Sequence, residues 1–201
     1  MSPASLRDLA DRVRALPPRA GGTVVVGVDG RSGSGKTTFA RRLVAALRDA
    51  GADARTLHLD DVYPGWDGLA AGARALCADV LEALATGRPA GYRRWSWVRS
   101  EPAGRAEVRP GGVLVVEGVG AGARCARPRL SLLVWLDAPA PLRRQRALAR
   151  DGEAYAPHWD RWAAQEEAHH AAEGTRAAAG LLLDGAAPPP GPDDPLPLLP
   201  R

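Results

Sequence analysis

The chain has 201 residues, 45% of them hydrophobic, enough to bury one substantial core, and that length favours a single domain over two. Its formal net charge is +4 and its pI about 9.7, yet 23 acidic residues interrupt the arginines along the whole length, a pattern that suits anionic small molecules better than a specific nucleic acid. No apolar run reaches the roughly 18 residues of a membrane span, and Met1–Leu16 is a charged amphipathic stretch without a leader's apolar segment, so no membrane partner and a cytoplasmic location are expected.

In chain order, the apolar positions of the first stretch are Leu6, Leu9, Val13 and Leu16. Thr23–Val28 (Thr-Val-Val-Val-Gly-Val) is a short apolar, β-branched run, as a central parallel strand buried on both faces should be. From Thr37 to Ala50, Phe39, Leu43, Val44 and Leu47 recur at helical spacing and Gly51 supplies the stop. Arg55–Leu59 reads as a second strand ending in Asp60-Asp61, and Leu76–Leu84 as a helix. Val113–Val116 and Leu130–Leu136 are two further buried strands, Pro141–Ala149 and Trp159–Ala179 helices, and Leu181–Leu183 a last short strand. Strands alternating with helices predict an α/β fold, a parallel sheet flanked by helices with its site at the carboxyl ends of the strands. One domain is expected over 1–185, followed by a tail, 186–201, whose seven prolines suit a disordered or extended segment. Cys77 and Cys125, 48 residues apart without CxxC spacing, are expected to be ordinary thiols.

Between the first strand and the helix after it lies Gly30-Arg31-Ser32-Gly33-Ser34-Gly35-Lys36-Thr37, which matches G-x-x-x-x-G-K-[ST] in the strand-then-helix context that this motif requires. Glycines permit backbone angles closed to other residues, so successive N–H groups converge on phosphate oxygens at the positive end of the helix. Gly30, Ser32, Gly33, Ser34, Gly35, Lys36, Thr37 and Thr38 are the residues expected to hold ATP. Lys36 is the only lysine among 27 basic residues, and a compact ammonium reaches between phosphates where a planar guanidinium would crowd. Thr37 is placed on Mg²⁺, as is Glu117, the carboxylate that closes the strand Val113–Val116. Asp137 ends a similar strand but leads into a Pro139–Pro141 turn that reads as structural.

Val28–Thr38, Leu57–Tyr63 (Leu-His-Leu-Asp-Asp-Val-Tyr) and Val115–Gly118 resemble, in order, three blocks of the uridine kinase-like P-loop phosphotransferases, over roughly residues 22–184. The resemblance implies an ATP- and Mg²⁺-dependent kinase acting on a small-molecule hydroxyl, with a nucleoside as one acceptor. It also implies that Asp60 acts toward that hydroxyl; a carboxylate at a neighbouring strand end can orient the hydroxyl or take its proton. Asp61 beside it could exchange roles or bind the acceptor. Arg143, Arg144, Arg146 and Arg150 fall in a segment similar to the family's lid, with Arg146 and Arg150 the candidates to stabilise the transferring phosphoryl group; a solvated basic helix face is the alternative. Tyr92-Arg93-Arg94-Trp95-Ser96-Trp97 stands where the family places its acceptor-binding insertion, and Tyr92, Arg94 and Trp95, with Tyr63, are candidate acceptor contacts. Ser96 replaces an acid there, which keeps a regulatory nucleotide-binding module open as a second reading beside a nucleotide monophosphate kinase. Trp66 and Asp67 either join that pocket or pack under a loop. Glu166-Glu167 and His169-His170 are expected on a solvated or lid-facing helix, because adjacent histidines on a helix diverge by about 100°. The absence of any Asn, with the one lysine in the phosphate loop, excludes the Asn-Lys-x-Asp guanine loop of GTPases, and no Leu-Ser-Gly-Gly signature of transport ATPases occurs.

Overall fold

A computed structural model of the chain describes residues 4–200. Five parallel strands, β1 (Val24–Asp29), β2 (Ala54–His58), β5 (Val113–Glu117), β6 (Leu132–Asp137) and β7 (Leu181–Asp184), form one sheet in the order β2-β5-β1-β6-β7. All six residues of β1 are buried, as the unbroken Val-rich run predicts for the strand at the sheet's centre. Successive residues face opposite sides: Val24, Val26 and Val28 pack with Val113 and Val115 into one core, Val25 with Leu114 and Val116 into the other. Helices α1 (Leu6–Arg14) and α2 (Lys36–Asp49) cover the first face through Leu6, Leu9, Leu43 and Leu47. The second face lies under the segment made of α3 (Leu69–Ala75), a π-helical stretch Leu76–Leu81 and α4 (Glu82–Ala85), together with α6 (Trp159–Glu173). Between them in sequence, α5 (Ala140–Asp151) follows β6, and Gly174, in the left-handed region, separates α6 from α7 (Thr175–Ala178) where one continuous helix is expected.

One expectation is corrected. Cys77 and Cys125 form a disulfide with a Cα–Cα distance of 6.0 Å. The π-helical stretch carries Cys77 to the loop after β5 that carries Cys125, a proximity made by the fold and invisible in a 48-residue separation. The region Tyr92–Trp97, assigned no secondary structure from sequence, lies in a hairpin of β3 (Ala90–Ser96) and β4 (Glu101–Val108), whose register slips between Arg93 and Trp95. The proline-rich tail is extended and docked. Its Leu196 is buried in the first core, Asp184 N–H donates to the Pro197 carbonyl at 2.7 Å, and Leu199 N–H to that of Leu182 at 2.9 Å. Among the described residues no helix is long and apolar enough to cross a membrane.

Candidate active site

The carboxyl ends of β1, β2 and β5 bring the three sequence blocks together. At the end of β1, Asp29 is fully buried and its carboxylate accepts the N–H groups of Gly30 (2.7 Å), Gly120 (3.2 and 3.1 Å) and Gly122 (2.8 Å), which ties the start of the phosphate loop to the loop after β5. Burial raises the Asp29 pKa, and those three N–H groups and the Lys36 charge act against the rise. In the loop itself, Gly33 has φ +78°, and a Cβ there would stand 2.1 Å from the Arg143 carbonyl oxygen, so only glycine lets the loop lie against α5. Gly35 caps α2 at φ 94° and turns the first N–H groups of the helix toward the loop. Lys36 is buried there, its Nζ donating to the Arg31 carbonyl at 2.9 Å.

Glu117 is buried at the end of β5 and accepts from Thr37 Oγ1 at 3.1 Å, while His58 Nδ1 lies 2.6 Å from the same Oε1. Burial by itself would raise the Glu117 pKa; contact with His58, the Lys36 charge and the Thr37 hydroxyl outweigh it and hold the carboxyl below its ordinary value. The same contact raises the His58 pKa. A hydroxyl and a carboxylate converging at a helix N-terminus are the hard oxygen donors that magnesium takes, so Thr37 and Glu117 fit that ion.

Asp60 and Asp61 occupy a turn of 3-10 helix, Leu59–Asp61, which sends them different ways. Asp60 lines a cavity of about 610 Å³ that begins at Ser32 of the phosphate loop and continues between aromatic side chains. Open to the cavity yet ringed by protein, Asp60 has its pKa raised by desolvation and by Glu117, opposed by Lys36 and Arg150. The rise is fullest when a bound molecule displaces the cavity water. Asp61 does not line that cavity; it faces Arg94 at 3.8 Å, a partly exposed pair.

No family model matches the chain. Over 142 residues it is 32% identical to a uridine kinase of Deinococcus deserti, an alignment covering 63% of this chain and 68% of that protein. The chain belongs to the uridine kinase-like family of P-loop kinases. Its fold is that of solved P-loop kinases: a possible uridine kinase from Bacillus stearothermophilus (TM-score 0.66, 22% identity, 89% of this chain and 97% of that one) and a putative fructose transport system kinase from Silicibacter sp. TM1040 (0.60, 23%, 87% and 95%). A D-glycerate 3-kinase from Cryptococcus neoformans is similar at a TM-score of 0.51, with 13% identity over 90% of this chain and 93% of that one. The chain is therefore a P-loop kinase of small molecules.

Within this kinase the arginines of α5 separate. Arg150 lines the aromatic cavity with Asp60, its Nε and Nη2 donating to the Asp151 carboxylate at 2.8 and 2.6 Å. Arg146 turns to the opposite flank of the phosphate loop and donates to the carbonyls of Gly185 (2.6 Å) and Ala186 (3.5 Å). Arg143 is buried, bonded to the Ala138 carbonyl at 3.0 Å and the Ser32 carbonyl at 3.3 Å, and Arg144 is exposed. Of the candidate acceptor contacts, Tyr63 is fully buried, with its hydroxyl donating to the Val119 carbonyl at 2.7 Å, and presents only part of its ring to the cavity. Tyr92, Arg94 and Trp95 do not line it. The aromatic wall consists of Trp66, Trp97, Tyr155, His158 and Trp162, with Trp66 stacked 4.3 Å from His158 and 5.2 Å from Tyr155. Trp97 Nε1 donates to the Asp60 carbonyl at 2.8 Å, holding the hairpin tip at the cavity mouth. Asp67, outside the cavity lining, pairs with Arg161 of α6.

Of the two expectations for helix α6, solvated or lid-facing, its Glu166 follows the second, facing Arg143 of α5 at 3.9 Å. Glu166 is buried and accepts from the Ser32 N–H at 2.8 Å and Trp162 Nε1 at 3.0 Å; Glu167 pairs with Arg31 at 2.5 Å. His170 packs edge-on against Trp135 at 4.7 Å, and burial, with His169 and Arg31 nearby, pushes its pKa down to about 3. Sequence reasoning missed Asp29, His58 and Glu166. The first two sit inside the quoted blocks, where a carboxylate ending an all-buried strand and a histidine before Leu59-Asp60 were the available signals. Glu166 had none, because its partner lies 134 residues away.

Proposed function

We propose that the protein is an ATP- and Mg²⁺-dependent kinase that transfers the γ-phosphate to a hydroxyl of a small ring-bearing molecule, with nucleosides as the first acceptors to try. The observation that carries this reading is the cavity that Ser32 of the phosphate loop lines together with Asp60, Arg150 and the aromatic side chains. A triphosphate in the loop would present its γ-phosphorus to that cavity, and aromatic walls would take a planar ring.

In this reading Thr37 and Glu117 would hold the magnesium ion, which would supply charge neutralisation to the phosphates. Lys36 leaves the Arg31 carbonyl for the phosphates. Asp60 accepts a hydrogen bond from the acceptor hydroxyl; as that oxygen bonds to the γ-phosphorus and the bond to the β–γ bridging oxygen breaks, the proton passes to the Asp60 carboxylate and ADP leaves. Its raised pKa makes the carboxylate a better proton acceptor at that moment. Arg150, parked on Asp151, is close enough to influence Asp60 electrostatically and is the guanidinium available to the transferring group. Beyond the one arginine assigned to the transferring group, the cavity lining carries two carboxylates, Asp60 and Asp151. That balance disfavours a phosphate-bearing acceptor and hence a nucleotide monophosphate kinase. The test is ADP release by purified protein with ATP and Mg²⁺ against nucleosides, sugars and vitamin alcohols, with Lys36→Ala as control. Acceptor-dependent ADP release that Lys36→Ala abolishes is expected. ATP binding without turnover on any acceptor would favour the regulatory module.

A further inference from the structure

The aromatic cavity is acidic as well as aromatic. Its lining holds two carboxylates, Asp60 and Asp151, and a single arginine, Arg150, whose guanidinium donates twice to Asp151 at 2.8 and 2.6 Å. One guanidinium does not neutralise Asp151 and the transferring phosphoryl group at once. When Arg150 serves the phosphoryl group, the Asp151 carboxylate is left on the cavity wall without a partner. We infer that the acceptor is a cation, an alcohol whose ring carries a quaternary or protonated nitrogen, held among the aromatic walls and set against Asp151. The inference rests on the kinase reading and narrows its acceptor from ring-bearing alcohols in general to positively charged ones.

The walls favour a positive charge over a neutral base. Tryptophan is the aromatic side chain whose face attracts a cation best, and three of them line the cavity, Trp66, Trp97 and Trp162. Relative to Trp66, the Trp97 ring is tilted by 54° at 4.6 Å and the Trp162 ring by 84° at 6.4 Å. Rings inclined so steeply enclose a space from several sides. That suits a charge, which is drawn to any ring face, whereas a flat neutral base needs a parallel face on which to stack. Trp66 already makes its near-parallel contacts inside the wall, to His158 at 17° and Tyr155 at 15°.

Polar groups that would read the edge of a neutral base are committed elsewhere. The indole N–H of Trp97 goes to the Asp60 carbonyl, that of Trp162 to Glu166, and the Tyr63 hydroxyl to the Val119 carbonyl. Among the described residues no amide side chain lines the cavity, and Gln165 spends its Nε2 on the Trp66 carbonyl at 2.7 Å. A nucleobase edge that gives up its water there without finding partners is penalised. A quaternary ring nitrogen needs only π faces and a carboxylate. The transfer step is unchanged: the acceptor oxygen bonds to the γ-phosphorus, its proton passes to Asp60 and ADP leaves, while the cationic nitrogen keeps its charge throughout.

The experiment uses two alcohols of one shape, the meta-hydroxymethyl N-methylpyridinium cation and meta-methylbenzyl alcohol, in which a ring carbon replaces the charged nitrogen. Dissociation constants are measured by calorimetry on the full chain with a magnesium-bound, non-hydrolysable ATP analogue present, and ADP release is followed with Mg-ATP. Wild type should bind the pyridinium at least about tenfold more tightly than the benzyl alcohol and phosphorylate it faster. Asp151→Asn should bring the pyridinium's affinity toward that of the benzyl alcohol and leave the benzyl alcohol's as it was; a cooperative thermal transition reports that the variant is folded. Equal affinities in wild type, or a preference that Asp151→Asn leaves undiminished, overturn the inference. ADP release with nucleosides or the benzyl alcohol but not with the pyridinium also overturns it and leaves the kinase reading standing. Tight pyridinium binding without ADP release from any acceptor overturns the kinase reading, and with it the cation's place as acceptor.

Discussion

Asp60→Asn separates the proposed proton acceptor from the scaffold around it. The substitution keeps the side chain's size, and the Trp97 bond that secures the hairpin tip uses the Asp60 backbone carbonyl, so it survives. Removing the carboxylate deletes a repulsion from Glu117 together with attractions to Lys36 and Arg150. Because the folded protein raises the Asp60 pKa, its ionised form is the disfavoured one, and thermal stability near neutral pH should not fall. Turnover should behave differently. A positioned general base contributes about 10²- to 10⁴-fold, about 3 to 5 kcal/mol of barrier, so kcat should drop by that factor while ATP affinity stays near wild type. Asp61→Asn is the matched control: it breaks a partly exposed pair at 3.8 Å from Arg94, of a kind that contributes at most about 1 kcal/mol, and should keep turnover within about fivefold. The pH profile gives a second reading. Wild-type kcat/KM should fall on the acid side with an apparent pKa above the ordinary aspartate range, and Asp60→Asn should lose that limb. Wild-type turnover in Asp60→Asn, or the loss appearing in Asp61→Asn instead, would refute the assignment within the pair.

Three further outcomes follow from the same structure. The His58 pKa is raised, so its stabilising contribution is full below its unfolded value near 6.5 and disappears as pH rises through the folded one; Glu117 is lowered, so its contribution is full above its unfolded value near 4.5 and disappears as pH falls through the folded one. Urea unfolding from pH 6 to 9 should therefore cost wild type more stability than His58→Ala, and parallel curves would contradict the pairing. Reducing Cys77–Cys125, which closes a loop of 48 residues, should lower unfolding free energy by about 2 to 4 kcal/mol, as should Cys77→Ser with Cys125→Ser; equal urea midpoints with and without dithiothreitol would count against the bond. Glu166→Ala strands two buried donors, the Ser32 N–H and Trp162 Nε1, and should cost about 2 to 5 kcal/mol and weaken ATP binding; a variant as stable as wild type would show that α6 does not secure the loop.

The strand-loop-helix unit and the alternation of strands with helices were legible because they are local. A six-residue apolar run has one reading in a parallel sheet, and three glycines, a lysine and a threonine at fixed spacing specify a phosphate loop without reference to the rest of the chain. Glu117 and Asp60 were also within reach, since each ends or follows a strand and the carboxyl ends of parallel strands meet at one edge. Of the aromatic wall, the sequence pointed to Trp66 and to the segment that carries Trp97, and not to Tyr155, His158 or Trp162. Between Arg93 and Trp95 the register slips by one, which breaks the alternation that would have assigned Tyr92, Arg94 and Trp95 to faces, and the turn beyond sends Trp97 to the cavity.

Long-range contacts belonged to the tertiary structure alone. Cys77 meets Cys125, Glu166 meets Ser32, and Arg42 meets the tail prolines across separations of 48, 134 and roughly 147 residues, and no local pattern encodes such meetings. Composition determined that the tail could not be helix or central strand; packing of Leu196 and the free carbonyls of its prolines decided that it would lie against α2 and β7. Local chemistry thus determined what each segment can be, while burial and the pairing of polar groups decided which segments share a site.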